Sequence, residues 1–225
     1  MPQTNVKHWR RLDNAAKLFP AASSKRDTRV FRFYCELKED IQQEILQKAV
    51  DRTLEKYPIF LSVLRKGLFW HYLEQSNKRP VVREEYKEPC SSLYIRDKRD
   101  LLFEVTYYKK RINFEVFHVL TDGTGASEFV RELVKNYLQE THPSAELPEL
   151  FSDENITGRD MEEDSFSQYY TGKKNEKEKS RPAYQIKGEY LEQEEMEITE
   201  ILLSAEAVHK CAKAHGVSVT AYLAA

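Results

Sequence analysis

The chain has 225 residues, of which 40% are apolar and 32% charged, a globular balance that allows one large domain or two small ones with a core of useful size. Its 35 basic and 37 acidic residues leave a net charge of -2, so no overall imbalance points to nucleic acid or to an anionic membrane. Three widely spaced cysteines (Cys35, Cys90, Cys211) make neither a disulfide framework nor a zinc pattern, and no apolar run is long enough to span a bilayer. With no signal-like segment at the start, the expectation is a cytoplasmic protein in a reducing compartment.

Residues 7–20 read as helical or mixed, closed by Pro20. Arg29 to Leu37 largely alternates, with Val30, Phe31, Phe33, Cys35 and Leu37 apolar, which predicts a strand with one buried face. The period then changes. Ile41, Ile45, Leu46, Ala49, Val50, Leu54 and Tyr57 recur at helical spacing, so residues 39–57 predict an amphipathic helix ended by Pro58. Two strands follow at about 59–66 and 68–74, joined at Lys66-Gly67, and an edge strand over 80–86 tolerates Pro80 at its start. A hairpin runs from Leu101 to Tyr108, turns around Lys109-Lys110-Arg111, and returns from Ile112 to His118. A helix over about 125–140 carries the stripe Phe129, Val130, Leu133, Val134, Tyr137 and Leu138. Residues 142–182, with three prolines and the run Lys173-Lys-Asn-Glu-Lys-Glu-Lys179, read as a polar connector that is partly disordered. A strand at about 190–203 and a helix at 204–215 come next. The last segment, capped by Ser218, reads as a helix only just begun, so the chain is expected to be a fragment. Interspersed strands, hairpins and helices imply an α/β (α+β) fold: a mixed, largely antiparallel sheet flanked by helices.

Reactive residue types crowd together only in Phe117-His118-Val-Leu-Thr-Asp122-Gly123-Thr-Gly125. His118 closes a strand on the face of Ile112, Phe114 and Val116, beside a turn, where an imidazole is well placed as a general base. The glycines permit a tight turn, and the helix that follows offers free N–H groups that can steady negative charge or orient a polar ligand. Asp122 could orient His118, but an aspartate before a helix more often bonds nearby N–H groups or an arginine and holds the loop. The bland reading is as open: a histidine on an apolar strand face is more often a satisfied core residue, and Asp-Gly after a strand is ordinary turn chemistry. The HxxxD spacing could supply two metal ligands, without an evident third, so no metal is assigned. Gly-Thr-Gly lacks the Lys-Ser/Thr of a phosphate loop, and Gly125-Ala-Ser127-Glu lacks the second glycine of a nucleophile elbow. Trp9, Phe19, Trp70 and the tyrosines read as core, Cys35 as a buried small hydrophobe, and the other five histidines as structural or surface groups.

The string HxxxDGxG on strand, loop and helix resembles the active-site motif of the chloramphenicol acetyltransferase-like superfamily, which includes condensation domains and alcohol acetyltransferases. Three other segments resemble the same superfamily in order. Trp9-Arg-Arg-Leu12-Asp13-Asn14-Ala-Ala-Lys-Leu-Phe19-Pro20 looks like the opening of the alcohol acetyltransferase branch. Leu46-x-x-Ala49-Val50-x-x-x-Leu54-x-x-x-Tyr57-Pro58 resembles the first helix and the turn after it. Ala214-His-Gly-Val-Ser218 to Ala225 looks like the helix that opens the second half.

The resemblance implies a chloramphenicol acetyltransferase-like half. Residues 1–141 would be the acyltransferase subdomain carrying the motif, 142–182 the polar connector, and 183–225 a strand and helices leading into a truncated second half. It further implies an O-acyltransferase moving an acyl group, acetyl on the branch resemblance, from acyl-CoA to a small alcohol. No bound cofactor is implied. His118 would be the general base, Asp122 a structural residue typically paired with an arginine, and Gly123 would keep the channel open. The family's tunnel lies between two similar halves, so the fragment alone would be inactive and would self-associate through the uncovered surface. Condensation domains usually place a second histidine where Phe117 stands, which disfavours a peptide-forming role. A non-catalytic binding or regulatory module of the same fold is the reading from another class.

Overall fold

The computed structural model describes residues 9–68, 70–147 and 195–224, with isolated positions between 171 and 192. The connector expected over 142–182 therefore lies almost wholly outside the described residues. Two compact units are resolved, residues 1–194 and 195–225, and each is taken by itself.

In the first unit the strands are β1 (Trp9–Arg11), β2 (Val30–Glu36), β3 (Ser62–Lys66), β4 (His71–Gln75), β5 (Arg83–Glu84), β6 (Phe103–Tyr108) and β7 (Arg111–Phe117). The helices are α1 (Phe19–Ala22), α2 (Gln43–Lys56) and α3 (Gly123–Thr141). Instead of one sheet there are two: a three-stranded antiparallel sheet in the order β1-β4-β3, and a four-stranded sheet in the order β2-β7-β6-β5. Among the described residues only the β5–β6 pair is parallel, so the largely antiparallel expectation stands. The extra strand is Trp9–Arg11, in the segment read as helical or mixed. Pro20 does not close that segment; it sits in the first turn of α1, where its missing N–H costs nothing.

β7 is the centre of the larger sheet, and every residue from Ile112 to Phe117 is buried. Ile112, Phe114 and Val116 face one way. Phe114 stacks on Phe129 of α3 at 4.7 Å, and Phe60, in the 3-10 turn Pro58–Leu61 that replaces the start of the expected 59–66 strand, packs on both rings. α2 and α3 are joined by a buried polar contact as well, since Asn136 donates to the Thr53 hydroxyl at 2.9 Å and Thr53 to the Ala49 carbonyl at 2.7 Å. Gln42 offers no side-chain cap to α2, but its N–H donates to the Tyr137 hydroxyl of α3 at 2.9 Å.

The other face of β7 carries charge rather than solvent. Glu115 pairs with Arg32 of β2 at 2.8 Å and accepts the Cys90 N–H at 2.6 Å, while Arg32 also reaches Glu85 at 2.6 Å. Arg111 completes the row on Glu85 at 3.2 Å. Facing carboxylates hold the Arg32 guanidinium above its ordinary range although burial, the largest single influence, acts the other way. Such a row ties the segment after β5 across β2 and β7, and removing one partner would leave an unpaired buried charge.

In the second unit, residues 195–203 carry no strand, contrary to the expectation for 190–203. α4 (Ala205–Ala214) is capped by the Ser204 hydroxyl and closes in a Schellman turn, with Gly216 at φ 67° and the Val217 N–H donating to Ala212. α5 (Val219–Leu223) starts from the Ser218 cap, as its sequence predicts.

Candidate active site

The site is built where β7 ends. The His118 N–H still donates to the Arg29 carbonyl at 2.9 Å, extending the β2–β7 ladder by one rung, and the Leu120 N–H turns back to the Phe117 carbonyl at 2.9 Å. Val119 and Leu120 are buried, so the reversal is pinned from below. His118 itself is half-buried on the helix-covered face of the sheet, as its alternation with Phe114 and Val116 predicts.

Two aromatic rings fix the imidazole. Phe19 of α1 stacks on it at 4.4 Å and 14°, and Phe31 of β2 leans against it at 4.9 Å and 58°. No hydrogen bond to either ring nitrogen is found among the described residues. The ring is therefore oriented by packing, and its nitrogens remain available to a reacting partner. From the sequence Phe19 is expected in the core and neither ring at the site. Phe31 was accessible through strand pairing, since it lies opposite Val116 and diagonal to position 118. Phe19 was not, because its contact spans about a hundred residues of chain.

Asp122 is the N-cap of α3. Its carboxylate accepts the Gly125 N–H at 2.9 Å, and its carbonyl takes the Ala126 N–H at 3.0 Å. Of the two roles open to it in the sequence, orienting His118 or holding the loop, the contacts provide the second. Among the described residues no arginine pairs with Asp122, unlike the arrangement the resemblance implies. Gly123 and Thr124 are exposed at the start of the helix, where backbone N–H groups have no partner within the helix.

The two glycines have different reasons to be glycine. A Cβ at position 125 would overlap the Thr121 hydroxyl, whereas a Cβ at position 123 meets nothing within 4 Å. The Thr121 side chain crowds position 125, and nothing crowds position 123. Gly125→Ala should lower stability by about 1–3 kcal/mol through overpacking, and adding Thr121→Ala should recover most of that loss. Equal destabilisation in both backgrounds, measured by urea unfolding, would show that the hydroxyl is not the obstacle.

Two other readings change. Trp9 and Trp70 are 60% and 58% exposed rather than core. Cys35 is half-buried, and burial pushes its thiol up. Among the described residues no group of three His, Cys, Asp or Glu side chains could hold a metal ion, and no helix is long and apolar enough to cross a membrane.

No family model and no curated protein matches the chain. Solved structures do. The starter condensation domain of the rhizomide synthetase RzmA superposes with a TM-score of 0.51 at 9% identity, over 64% of this chain and 41% of that one. The first condensation domain of the calcium-dependent antibiotic synthetase, in complex with substrate analogue 2a, gives a TM-score of 0.50 at 15% identity, over 66% of this chain and 41% of that one. At these identities the likeness is one of fold: the chain shares the mixed, helix-flanked architecture of condensation domains. It spans about two fifths of the length of those structures.

Proposed function

We propose that the protein is an acyltransferase of the condensation-domain fold that moves an acyl group, acetyl first among candidates, from CoA to the hydroxyl of a small alcohol in the cytoplasm. The observation that carries this reading is His118, held between Phe19 and Phe31 with no hydrogen-bonding partner on its ring nitrogens among the described residues, beside an N-capped helix start. In the proposed reaction the imidazole takes the proton of the acceptor hydroxyl as its oxygen attacks the thioester carbonyl. The tetrahedral intermediate then collapses, the C–S bond breaks, and the leaving thiolate recovers the proton from the imidazolium. The N–H groups at the start of α3 would orient the polar end of a ligand or steady the oxyanion.

Asp122 acts through the loop, keeping the turn that follows His118. Gly123 acts by absence: a side chain there would project from the loop into open space. Gly123→Leu should leave the unfolding free energy within about 1 kcal/mol of wild type, yet reduce kcat/KM for the acceptor by more than tenfold. A variant with full kcat/KM would place the acceptor elsewhere.

A second reading is favoured by both structural likenesses: a condensation enzyme that joins a carrier-bound acyl group to an amine. Phe117, buried and stacked on Tyr94 at 5.4 Å, stands where such domains usually carry a second histidine, which supports the O-acyl reading over this one. The deciding assay offers acetyl-CoA with small alcohols or with amines to the longest natural protein that carries this sequence, and follows release of free thiol. Thiol release with alcohols supports the proposal, release only with amines or only from a carrier protein supports the alternative, and no release or binding of any acyl-CoA supports a non-catalytic module. The 225 residues alone should turn over slowly if at all, because the opposite wall of the tunnel would come from a second half, and they should self-associate through the face it would cover.

A further inference from the structure

The β3–β4 hairpin departs from the ordinary chemistry of its turn. The Gly67 N–H donates to the Trp70 carbonyl at 2.7 Å, and in the sequence Leu68 and Phe69 are the two residues between them. Two-residue hairpin loops favour Asn, Asp or Gly, whose backbones accept positive φ. Large apolar residues contribute nothing to such a turn, and Leu68 is 91% exposed. The apolar surface continues behind the tip, where Trp70, Trp9 and Tyr72 line an open groove with Glu74, and the Trp9 ring meets Tyr72 edge-on at 6.3 Å.

Positive charge surrounds the same hairpin. Lys66, at the end of β3, shares a cleft with Lys98 and Arg99, in which Asp97 is the one acidic group. His71, at the start of β4, is held below the usual histidine range first by burial and then by the charges of Lys66 and Arg96. Among the described residues Lys66, Arg96, Lys98 and Arg99 make no ion pair. The chain's net charge of -2 conceals this local cluster, so the composition gave no sign of it.

We propose that this end of the molecule docks on an anionic lipid surface, with Leu68 and Trp70 entering the boundary between headgroups and acyl chains. Lys66, Arg96, Lys98 and Arg99 would meet the lipid phosphates and carboxylates. An apolar tip, a tryptophan–tyrosine belt and a basic rim are the three features an interfacial anchor needs. A second copy of the chain would bring the same cations face to face, which disfavours self-pairing here.

The test is co-sedimentation of the protein with phosphatidylcholine vesicles, with and without about 30% phosphatidylserine. Binding should appear with the anionic vesicles, weaken in high salt, and shift tryptophan emission to the blue. Leu68→Ser with Trp70→Ser should lower the partition coefficient by on the order of tenfold or more, and Lys66→Glu with Arg99→Glu by about fivefold per charge. Both pairs are at the surface, and unchanged circular dichroism would confirm folding. Failure of the wild-type protein to bind, or equal binding by the Leu68→Ser, Trp70→Ser variant, would overturn the proposal. So would an effect of that variant seen only in sedimentation of the protein without vesicles, which would mark a contact between copies. Acyl transfer is not read in any arm, so the result stands apart from the proposed reaction.

Discussion

Phe129→Ala should cost about 3–5 kcal/mol of folding stability. Phe129 is fully buried and is the hub of the aromatic core. It stacks on Phe114 at 4.7 Å, meets Phe60 at 4.3 Å, and touches Phe103 at 5.9 Å and Tyr57 at 5.8 Å. Those partners belong to β7, the 58–61 turn, β6 and the end of α2, so one ring couples four pieces of chain to α3. Truncation removes both the transfer free energy of the ring and the contacts its neighbours lose around the cavity, because a close-packed interior cannot fully collapse. Domains are stable by only about 5–15 kcal/mol, so the variant should be near its unfolding threshold. It should also loosen the N-terminus of α3, and with it the Asp122–Gly125 turn. Phe129→Leu, which keeps most of the volume, should cost much less. Urea unfolding read by fluorescence and circular dichroism checks both. A loss below about 1 kcal/mol for the alanine variant would mean that α3 is held by something other than this cluster.

The elements with a strong period were legible. α2 and α3 carry long apolar stripes that match a helical repeat, and the β6–β7 hairpin alternates cleanly around a short turn. That turn is tighter than expected, two residues rather than three, with Lys109 at φ 51° and the Lys109 and Lys110 carbonyls accepting the N–H groups of Ile41 and Leu37. The Ser218 N-cap and the start of α3 were legible because capping is local, whereas the Ser204 cap, equally local, was not singled out. What escaped the sequence was long-range. Trp9–Arg11 is too short for any period to show, yet it pairs with β4 in a sheet separate from that of β7. The polar face of β2 reads as solvated from its own pattern. It is covered because Glu115 and Glu85, far along the chain, neutralise Arg32 and bring the segment around Cys90 over it.

The candidate site divides in the same way. Position 118 at a strand end, the Asp122 cap and the need for Gly125 follow from neighbours within eight residues. Phe19 does not, and without it the histidine reads as an ordinary core residue. The stacking of Phe19 and Phe31 on an imidazole whose nitrogens keep no partner among the described residues is what distinguishes this histidine from a satisfied one. A buried structural histidine would be expected to place at least one ring nitrogen on an acceptor.

The central claim is that His118 moves the proton. The direct measurement compares wild type with His118→Ala and His118→Gln in acyl transfer from acetyl-CoA to the best alcohol acceptor, in the longest natural protein that carries this sequence. Thiol release is followed in steady state and in a single turnover, and urea unfolding is run on the same samples. Loss of the base should lower kcat by about 10²–10⁴-fold, with the donor KM little changed. The unfolding free energy should fall by no more than about 1–2 kcal/mol, since only the packing of one half-buried ring is lost. The glutamine variant, which retains a polar side chain but cannot take a proton at neutral pH, should be as slow as the alanine variant. Full turnover by His118→Ala would contradict the account, because the acceptor would then be activated by some other group.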